Sequence, residues 1–353
     1  MRRKTRVVSV RGIPIGGECP VTVQSMTNTD TRDVESTVRQ IRQLSQAGCD
    51  IVRVAVPDEE AAAAIQQVRD RVDVPLVGDI HFDSQLAIST IEAGVDKIRI
   101  NPGNLRPKES LPKVVEAAGT RGIPIRVGVN AGSLDRKILA SYGRPTPEAL
   151  AESALIEAEK IESLGFHDVV ISAKASSVSD TVACYRLLSS KTDFPLHIGI
   201  TEAGLPEYGT VKSSVGLGIL LSEGIGDTMR VSLAGDPIVE VKVAQDILKA
   251  LGLGGRGPEV IVCPTCGRTE IDVVAVARAV EEKTRGIERP IRIAICGCVV
   301  NGPGEAAEAD IGLCGGKEGA LIIKGDRIID RVPADRAVDA LLAEIDKLAS
   351  EGP

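Results

Sequence analysis

The chain is nearly without aromatic residues. It has no tryptophan, three tyrosines and three phenylalanines among 353 residues. Its core must therefore be built from Val, Ile, Leu and Ala, which favours many short buried strands covered by helices. It also lacks a basic excess: the formal net charge of −7 argues against nucleic-acid binding. No apolar run approaches the ~20 residues of a membrane helix. The start, MRRKTRVVSVRG, is basic, but its apolar stretch is too short for a signal peptide. These absences point to a cytoplasmic protein with no nucleic-acid or membrane partner. With 43% hydrophobic and 26% charged residues, the length suits one large domain and a small one.

Cysteine is not scarce. The eight are Cys19, Cys49, Cys184, Cys263, Cys266, Cys296, Cys298 and Cys314. A disulfide framework does not suit a cytoplasmic chain of this length. Cys49 and Cys184 sit in apolar helical patterns and read as buried spectators. Cys19, in GGECP, has no partner nearby. Five of the eight fall within residues 263–314, a clustering that points to a metal.

Eight short apolar runs mark the first 250 residues. They are VTVQSM (21–26), IVRVAV (51–56), PLVGDI (75–80), KIRINPG (97–103), PIRVGVN (124–130), DVVISAK (168–174), PLHIGIT (195–201) and TMRVSLA (228–234). Each precedes a segment with helical spacing of apolar residues, as with Val34, Val38, Ile41 and Leu44. The returns QAGCDIVRV, EAGVDKIRI, TRGIPIRVG, SLGFHDVVI and SEGIGDTMRV place a Gly where a helix would end in a left-handed residue. Eight such units in about 250 residues predict a TIM barrel. An open doubly wound sheet would carry a Gly-rich phosphate loop after its first strand. Here that place reads QSMTNTDTRD, without glycine.

Buried parallel strands should be nearly all apolar, and these are not. Arg53, Arg99, Asn101, Arg126, Asn130, Ser172, Lys174, Arg230 and Ser232 interrupt the runs. Pairs two or four residues apart share a face. Most fall toward the C-terminal ends, where a barrel's catalytic mouth lies. Five cations (Arg53, Arg99, Arg126, Lys174, Arg230) outnumber the acids at hand, Asp79 and Glu202. Buried cations are costly unless paired, so an anionic substrate is expected. Arg's planar fork suits phosphate, most simply a diphosphate. His81, Asp79 and His197 fall at the same level, whereas His167 reads as structural. Glu202, just past the seventh run in HIGITEAG, is the general acid candidate. The segment AGSLDRKILASYGRPTPEAL (131–150) reads as a long loop able to fold over the substrate.

LGLGGRGPE (251–259) reads as a linker. Beyond it, strand (VIVC), helix (IDVVAVARAVEEK), strand (IRIAIC), a GPGE loop, three strands and a closing helix make a compact α+β domain. CPTC lies 29 residues before CGC. Two readings are open: a zinc site of Cys263, Cys266, Cys296 and Cys298, or an iron–sulfur cluster with three thiolates and one other group. NGPGE, as a tight turn, would bring Glu305 back toward the cysteines and supply an exchangeable carboxylate ligand.

CPTCGR, GCVVNGPGE and EADIG, behind VQSMTNTDT, GDIHFD, RINPGN and ITEAG, resemble the 4-hydroxy-3-methylbut-2-enyl diphosphate synthase family in its short bacterial, two-domain form. The resemblance runs from about residue 5 to 345. It implies a TIM (β/α)8 barrel over 1–252 and a small α+β iron–sulfur domain of ferredoxin/sulfite-reductase-like type over 258–353. It implies reductive ring opening of 2-C-methyl-D-erythritol 2,4-cyclodiphosphate, in the non-mevalonate isoprenoid pathway. Electrons would come singly from flavodoxin or ferredoxin through a 4Fe–4S cluster. By motif, Cys263, Cys266, Cys298 and Glu305 match the cluster ligands. Arg53, Arg99, Arg126, Asn130, Lys174 and Ser232 match substrate-binding positions, and Glu202 matches the acid/base. Asp79, His81 and Arg230 join the substrate set by their level in the runs. The family is a homodimer, one subunit's cluster domain closing the other's barrel. Cys296 departs from the family, which carries Met or another apolar residue there. The competing class is a phosphate-binding barrel transferase with a structural zinc module.

Overall fold

All eight apolar runs become parallel strands of one barrel. The computed structural model describes residues 2–81, 83–101 and 104–351. Phe82 of GDIHFD, and Pro102 and Gly103 at the end of the fourth run, lie outside the described residues. The chain divides into two units, Met1–Leu253 and Gly254–Pro353.

The first unit opens with an antiparallel hairpin, β1 (Val7–Val10) and β2 (Ile13–Gly16). The barrel strands follow: β3 (Thr22–Met26), β4 (Ile51–Val56), β5 (Leu76–Ile80), β6 (Lys97–Ile100), β7 (Ile125–Asn130), β8 (Val169–Lys174), β9 (His197–Ile198) and β10 (Thr228–Met229). Their order is β8-β7-β6-β5-β4-β3-β10-β9, and a parallel bridge between Ile171 and Leu196 joins the two ends. Val10 and Ile15 of the hairpin pack with Ile51 and Val77 at the starts of β4 and β5. The hairpin thus plugs the N-terminal end of the barrel with apolar side chains and leaves the polar positions to the other end.

The helices are α1 (Val34–Gln46), α2 (Glu59–Arg69), α3 (Ser84–Glu92), α4 (Leu111–Arg121), α5 (Arg136–Tyr142), α6 (Pro147–Glu162), α7 (Val178–Lys191), α8 (Pro206–Ser222) and α9 (Pro237–Ala250). Asp33, Asp58 and Asp83 cap α1, α2 and α3 by accepting from first-turn amides. Val38, Ile41 and Leu44 form the buried face of α1. The glycines of the five returns (Gly48, Gly94, Gly122, Gly165, Gly224) all have positive φ.

Two expectations change. Cys49 is buried as expected but lies between α1 and β4, outside any helix, where its Sγ accepts from the Ser25 amide at 3.2 Å. Residues 131–150 are not a bare loop: they hold a 3-10 turn (Ala131–Ser133), all of α5 and the start of α6. Asp135 caps α5, and Gly143, at φ +73°, ends it.

The second unit is a five-stranded sheet in sequential order: β11 (Glu259–Val262), β12 (Arg292–Cys296), β13 (Ile311–Gly316), β14 (Gly319–Lys324) and β15 (Arg327–Val332). β11, β12 and β13 are parallel; β14 and β15 are antiparallel. Helices α10 (Val273–Lys283) and α12 (Ala337–Ser350) bury Val280, Leu341 and Ile345 with Ile293, Leu313 and Ile322 of the sheet. NGPGE forms the first turn of a short helix, α11 (Gly302–Ala307), rather than a free turn; the Glu305 amide donates to Asn301 O at 3.2 Å. Pro303 in that turn suits a helix start, where its missing N–H costs nothing. Among the described residues, no helix is long and apolar enough to cross a membrane.

Candidate active site

Strand alternation gathers the polar residues of the runs inside the barrel toward its C-terminal end. Asp79, Arg99 and Arg126 are register partners across β5, β6 and β7. Asn130 and Lys174 pair at the ends of β7 and β8. Arg99 Nη1 donates to Asp79 Oδ1 at 3.2 Å, and Arg53 Nε lies 3.7 Å from Asp79 Oδ2. His81, half exposed, stands 3.5 Å from Asp79 and 3.3 Å from Arg99. Arg126 Nη1 reaches across the lumen to Gln24 Oε1 on β3, at 3.2 Å. Arg53 Nε meets Met26 Sδ at 3.1 Å. His197 is buried, its Nδ1 3.4 Å from Thr228 Oγ1.

Space for these long side chains comes from two missing Cβ atoms. A Cβ on Gly128 would lie 2.3 Å from Arg99 Nε, and one on Gly199 would lie 2.5 Å from Lys174 Nζ. Gly128 follows Arg126 by two residues on β7, and Gly199 lies just past the end of β9.

Two strands are much shorter than their seven-residue runs. β9 and β10 hold two residues each, so Arg230 and Ser232 lie past the strand end, on the rim. Arg230 pairs with Glu240 of α9 at 3.3 Å, and Ser25 Oγ donates to the same carboxylate at 2.9 Å. Glu240 is therefore a further acid of the mouth. Glu202 is exposed, with φ +51°, and among the described residues no ion pair ties it to the cations. A non-glycine residue in the left-handed region is uncommon and marks a strained position.

Lys97 is the cation that sequence reasoning missed. It is fully buried on the same face as Arg99, and its Nζ has no hydrogen-bond partner. The two-residue spacing in KIRI was the available signal. Among the described residues, the lumen and its rim thus hold six cations (Arg53, Lys97, Arg99, Arg126, Lys174, Arg230) against Asp79 and Glu240. Burial pushes the Lys97 ammonium well below its usual range, with Arg126 and Arg53 adding to it. Burial does the same to Lys174 and Arg126, each surrounded by other guanidinium groups. Arg53 is pulled down to about 10 by burial, against the attraction of Asp79. Burial opposes the charge on Asp79, yet Arg53, His81 and Arg99 hold its carboxyl well below the usual carboxylate range. Such a lumen is poised for a multiply charged anion.

In the second unit the motif cysteines gather at the C-terminal ends of β11 and β12. The Cys263 Sγ accepts from the Gly297 amide at 3.1 Å. Cys266 is exposed, its amide bonded to Thr269 Oγ1 at 3.1 Å. Cys298 is half-buried; amides of Asn301, Val300 and Gly302 lower its thiol pKa and favour the thiolate a metal needs. Glu305 is exposed on α11, one helical turn after Asn301. A cavity of about 970 Å³ adjoins Cys298, walled by Arg268, Val300, Lys317 and Arg331 among others. Among the described residues, no three His, Cys, Asp or Glu converge on one point as a single metal ion requires.

The fold alone is shared widely. Dihydropteroate synthase from Xanthomonas albilineans aligns with TM-score 0.51 at 16% identity, over 70% of this chain and 97% of that one. Type I 3-dehydroquinate dehydratase from Clostridium difficile aligns with TM-score 0.52 at 14% identity, over 70% and 98%. Closer relatives span both units. A protein of Caldanaerobacter subterraneus subsp. tengcongensis is 57% identical over 99% of each chain. One of Clostridium perfringens is 53% identical over 98% of this chain and 99% of that one. Both are named 4-hydroxy-3-methylbut-2-en-1-yl diphosphate synthase (flavodoxin). The GcpE TIM-barrel domain matches residues 5–245 and the GcpE protein C-terminal domain matches residues 259–347. The cation-lined barrel and the cysteine-bearing sheet are thus a known combination, and the chain belongs to the GcpE family.

Proposed function

We propose that this chain is a 4-hydroxy-3-methylbut-2-enyl diphosphate synthase acting on 2-C-methyl-D-erythritol 2,4-cyclodiphosphate, in the cytoplasm, with flavodoxin or ferredoxin as electron donor. The observation that carries the substrate is the lumen of six cations against two acids. A diphosphate would supply the missing negative charge. Arg53, Arg99, Arg126, Lys174 and Arg230 bind it, with Asn130 and Ser232 as neutral donors. Asp79 holds Arg53 and Arg99 apart and in place, and His81 adds a donor at the rim. Glu202, exposed and untied, moves a proton to the leaving oxygen.

Cys263, Cys266, Cys298 and Glu305 would hold a 4Fe–4S cluster, which when bound supplies electrons one at a time. Amides of Asn301, Val300 and Gly302 favour the thiolate at Cys298, and the Cys263 sulfur accepts from the Gly297 amide. The transferase reading with a zinc module is disfavoured, because the synthase relatives extend across both units.

We also infer a homodimer. Leu205, Tyr208, Val211 and Val215 leave an exposed apolar stripe at the start of α8, and a second copy is the occupant proposed for it.

Anaerobic purification with iron, zinc and sulfide analysis, followed by turnover of the cyclodiphosphate with reduced flavodoxin, tests the reading. Iron, sulfide and the open-chain diphosphate are expected. Zinc without iron, and no turnover, would return the transferase.

A further inference from the structure

Three thiols stand side by side on three neighbouring strands. Cys296 and Cys314 are register partners on β12 and β13. Cys263 follows Val262, the partner of Ile295, and its amide donates to Ile295 O at 3.0 Å, so it falls beside Cys296. The Cys263 Sγ is turned toward β12, where it accepts from the Gly297 amide. Cys296 and Cys314 share one buried cluster, and Cys263 packs against it. Cys296 and Cys314 are buried, and Gly302 closes over them: a Cβ there would lie 2.8 Å from Cys314 Sγ and 3.0 Å from Cys296 Cβ. The proposed ligand set leaves both of these thiols unused.

We propose that Cys296 is a resolving thiol for Cys263, trapping it as a reversible Cys263–Cys296 disulfide when oxidation strips the cluster. The proposal rests on Cys263 being a cluster ligand. A peroxide converts the freed Cys263 thiol to a sulfenic acid and releases one water. The Cys296 sulfur then attacks the Cys263 sulfur. An S–S bond forms, the S–O bond breaks, and the hydroxyl leaves with the Cys296 proton as a second water. The two thiols lose two electrons and the peroxide gains them. A dithiol reductant reverses the bond, whereas an uncaptured sulfenic acid goes on to the sulfinic acid and is lost.

Geometry selects this pair. Neighbouring strands run about 4.8 Å apart, inside the ~4.4–6.8 Å Cα window of a disulfide. Cys296 and Cys314 are both held within the ladder. Cys263 lies just past the end of β11 and can turn toward its neighbour. Cys266, its C-x-x-C companion, faces solvent.

The test uses the full-length holoenzyme, with iron and sulfide counted first. It is treated with hydrogen peroxide and digested without reduction, and the cross-linked peptides are sequenced by fragmentation. A Cys263–Cys296 bond is expected. Dithiothreitol should reopen it, after which iron and sulfide should restore most of the original cluster content. Cys296→Ala should start with the same cluster content, but Cys263 should then gain two or three oxygens and recovery should fall several-fold. Cys314→Ala should keep the bond, separating loss of packing from loss of the resolving sulfur. A Cys263–Cys266 bond in the wild type, or equal recovery in Cys296→Ala, overturns the proposal alone. Absence of iron at the outset overturns it together with the cluster reading.

Discussion

Asp79 and Arg99 form a buried ion pair, 3.2 Å long, between register partners of neighbouring barrel strands. The same carboxylate also neighbours Arg53 and His81. Removing it leaves at least two buried guanidinium groups without their counter-charge. Asp79→Asn should therefore cost about 3–5 kcal/mol of stability. The pH dependence has a definite sign. The folded carboxyl titrates below its unfolded value of about 3.9. Its contribution is thus complete above pH ~4 and fades as pH falls toward the folded value. Denaturant melts of both proteins should differ most at neutral pH and converge below pH 4. A gap that widens toward acid pH would show that Asp79 is not the anchor.

Arg126 and Lys174 lie in the lumen without a carboxylate of their own. Each charge-assisted hydrogen bond to a diphosphate is worth ~1.5–3 kcal/mol. Arg126→Ala or Lys174→Ala should weaken substrate binding by about 10- to 150-fold, with cluster content unchanged. Burial and the neighbouring guanidinium groups lower the pKa values of Lys97 and Lys174, and a bound anion opposes that shift, so any proton exchanged on wild-type binding should be taken up rather than released. Calorimetry in buffers of different ionisation enthalpy reads both quantities. Unchanged affinity in both variants would move the diphosphate elsewhere.

Much of this lumen was legible because two-residue alternation is a property of any strand: Arg99 with Asn101, Arg126 with Asn130, and Ser172 with Lys174 could each be put on one face of their strand from spacing alone. Lys97 obeys the same spacing but opens its run, where a charged residue reads as an exposed strand start. Glu240 could not be found that way. It comes from a helix, and only packing decides that its carboxylate turns toward Arg230 and Ser25. α5 was written in Asp135 and Gly143, a cap and a stop, yet its side chains are not buried, so it carries little apolar pattern. The left-handed backbone of Glu202 left no mark in the sequence, since nothing in ITEAG requires it.

Among the described residues, no ion pair ties Glu202 to another side chain. Glu202→Gln should fold and bind substrate as the wild type does. If the residue delivers a proton, turnover should fall by ~100-fold or more. Steady-state kinetics with a binding titration separate the two effects. Near wild-type turnover would remove Glu202 from the mechanism.

The apolar stripe of α8 predicts an oligomer. Tyr208 and Val211, 69% and 58% exposed, are one helical turn apart. Replacing both with Glu should put like charges into a self-complementary interface and shift the protein toward monomer. The fold should survive, because neither side chain is buried within the subunit. Sedimentation velocity measures the shift. An unchanged dimer would place the interface on another face, and a monomeric wild type would end the inference.

The final prediction concerns the metal end of the molecule, where cysteine and carboxylate make different claims. Cys298 sits among three amides that favour its thiolate, which suits its proposed role as a ligand, and the Cys263 sulfur accepts from the Gly297 amide. Glu305 is held only by its place in the first turn of α11, exposed and able to swing away. A carboxylate is also a harder and more exchangeable ligand than a thiolate. Cys298→Ser should therefore abolish the intact cluster. Glu305→Ala should keep one that loses iron readily, since three thiolates still hold it. Cys296→Ser should bind iron as the wild type does, because Cys296 is buried on β12 and lies outside the proposed ligand set. Mössbauer spectra of the wild type should then resolve one iron site distinct from three alike. Four equivalent all-sulfur sites, with Cys296→Ser losing the cluster, would mean that Cys296 is the fourth ligand and Glu305 is not.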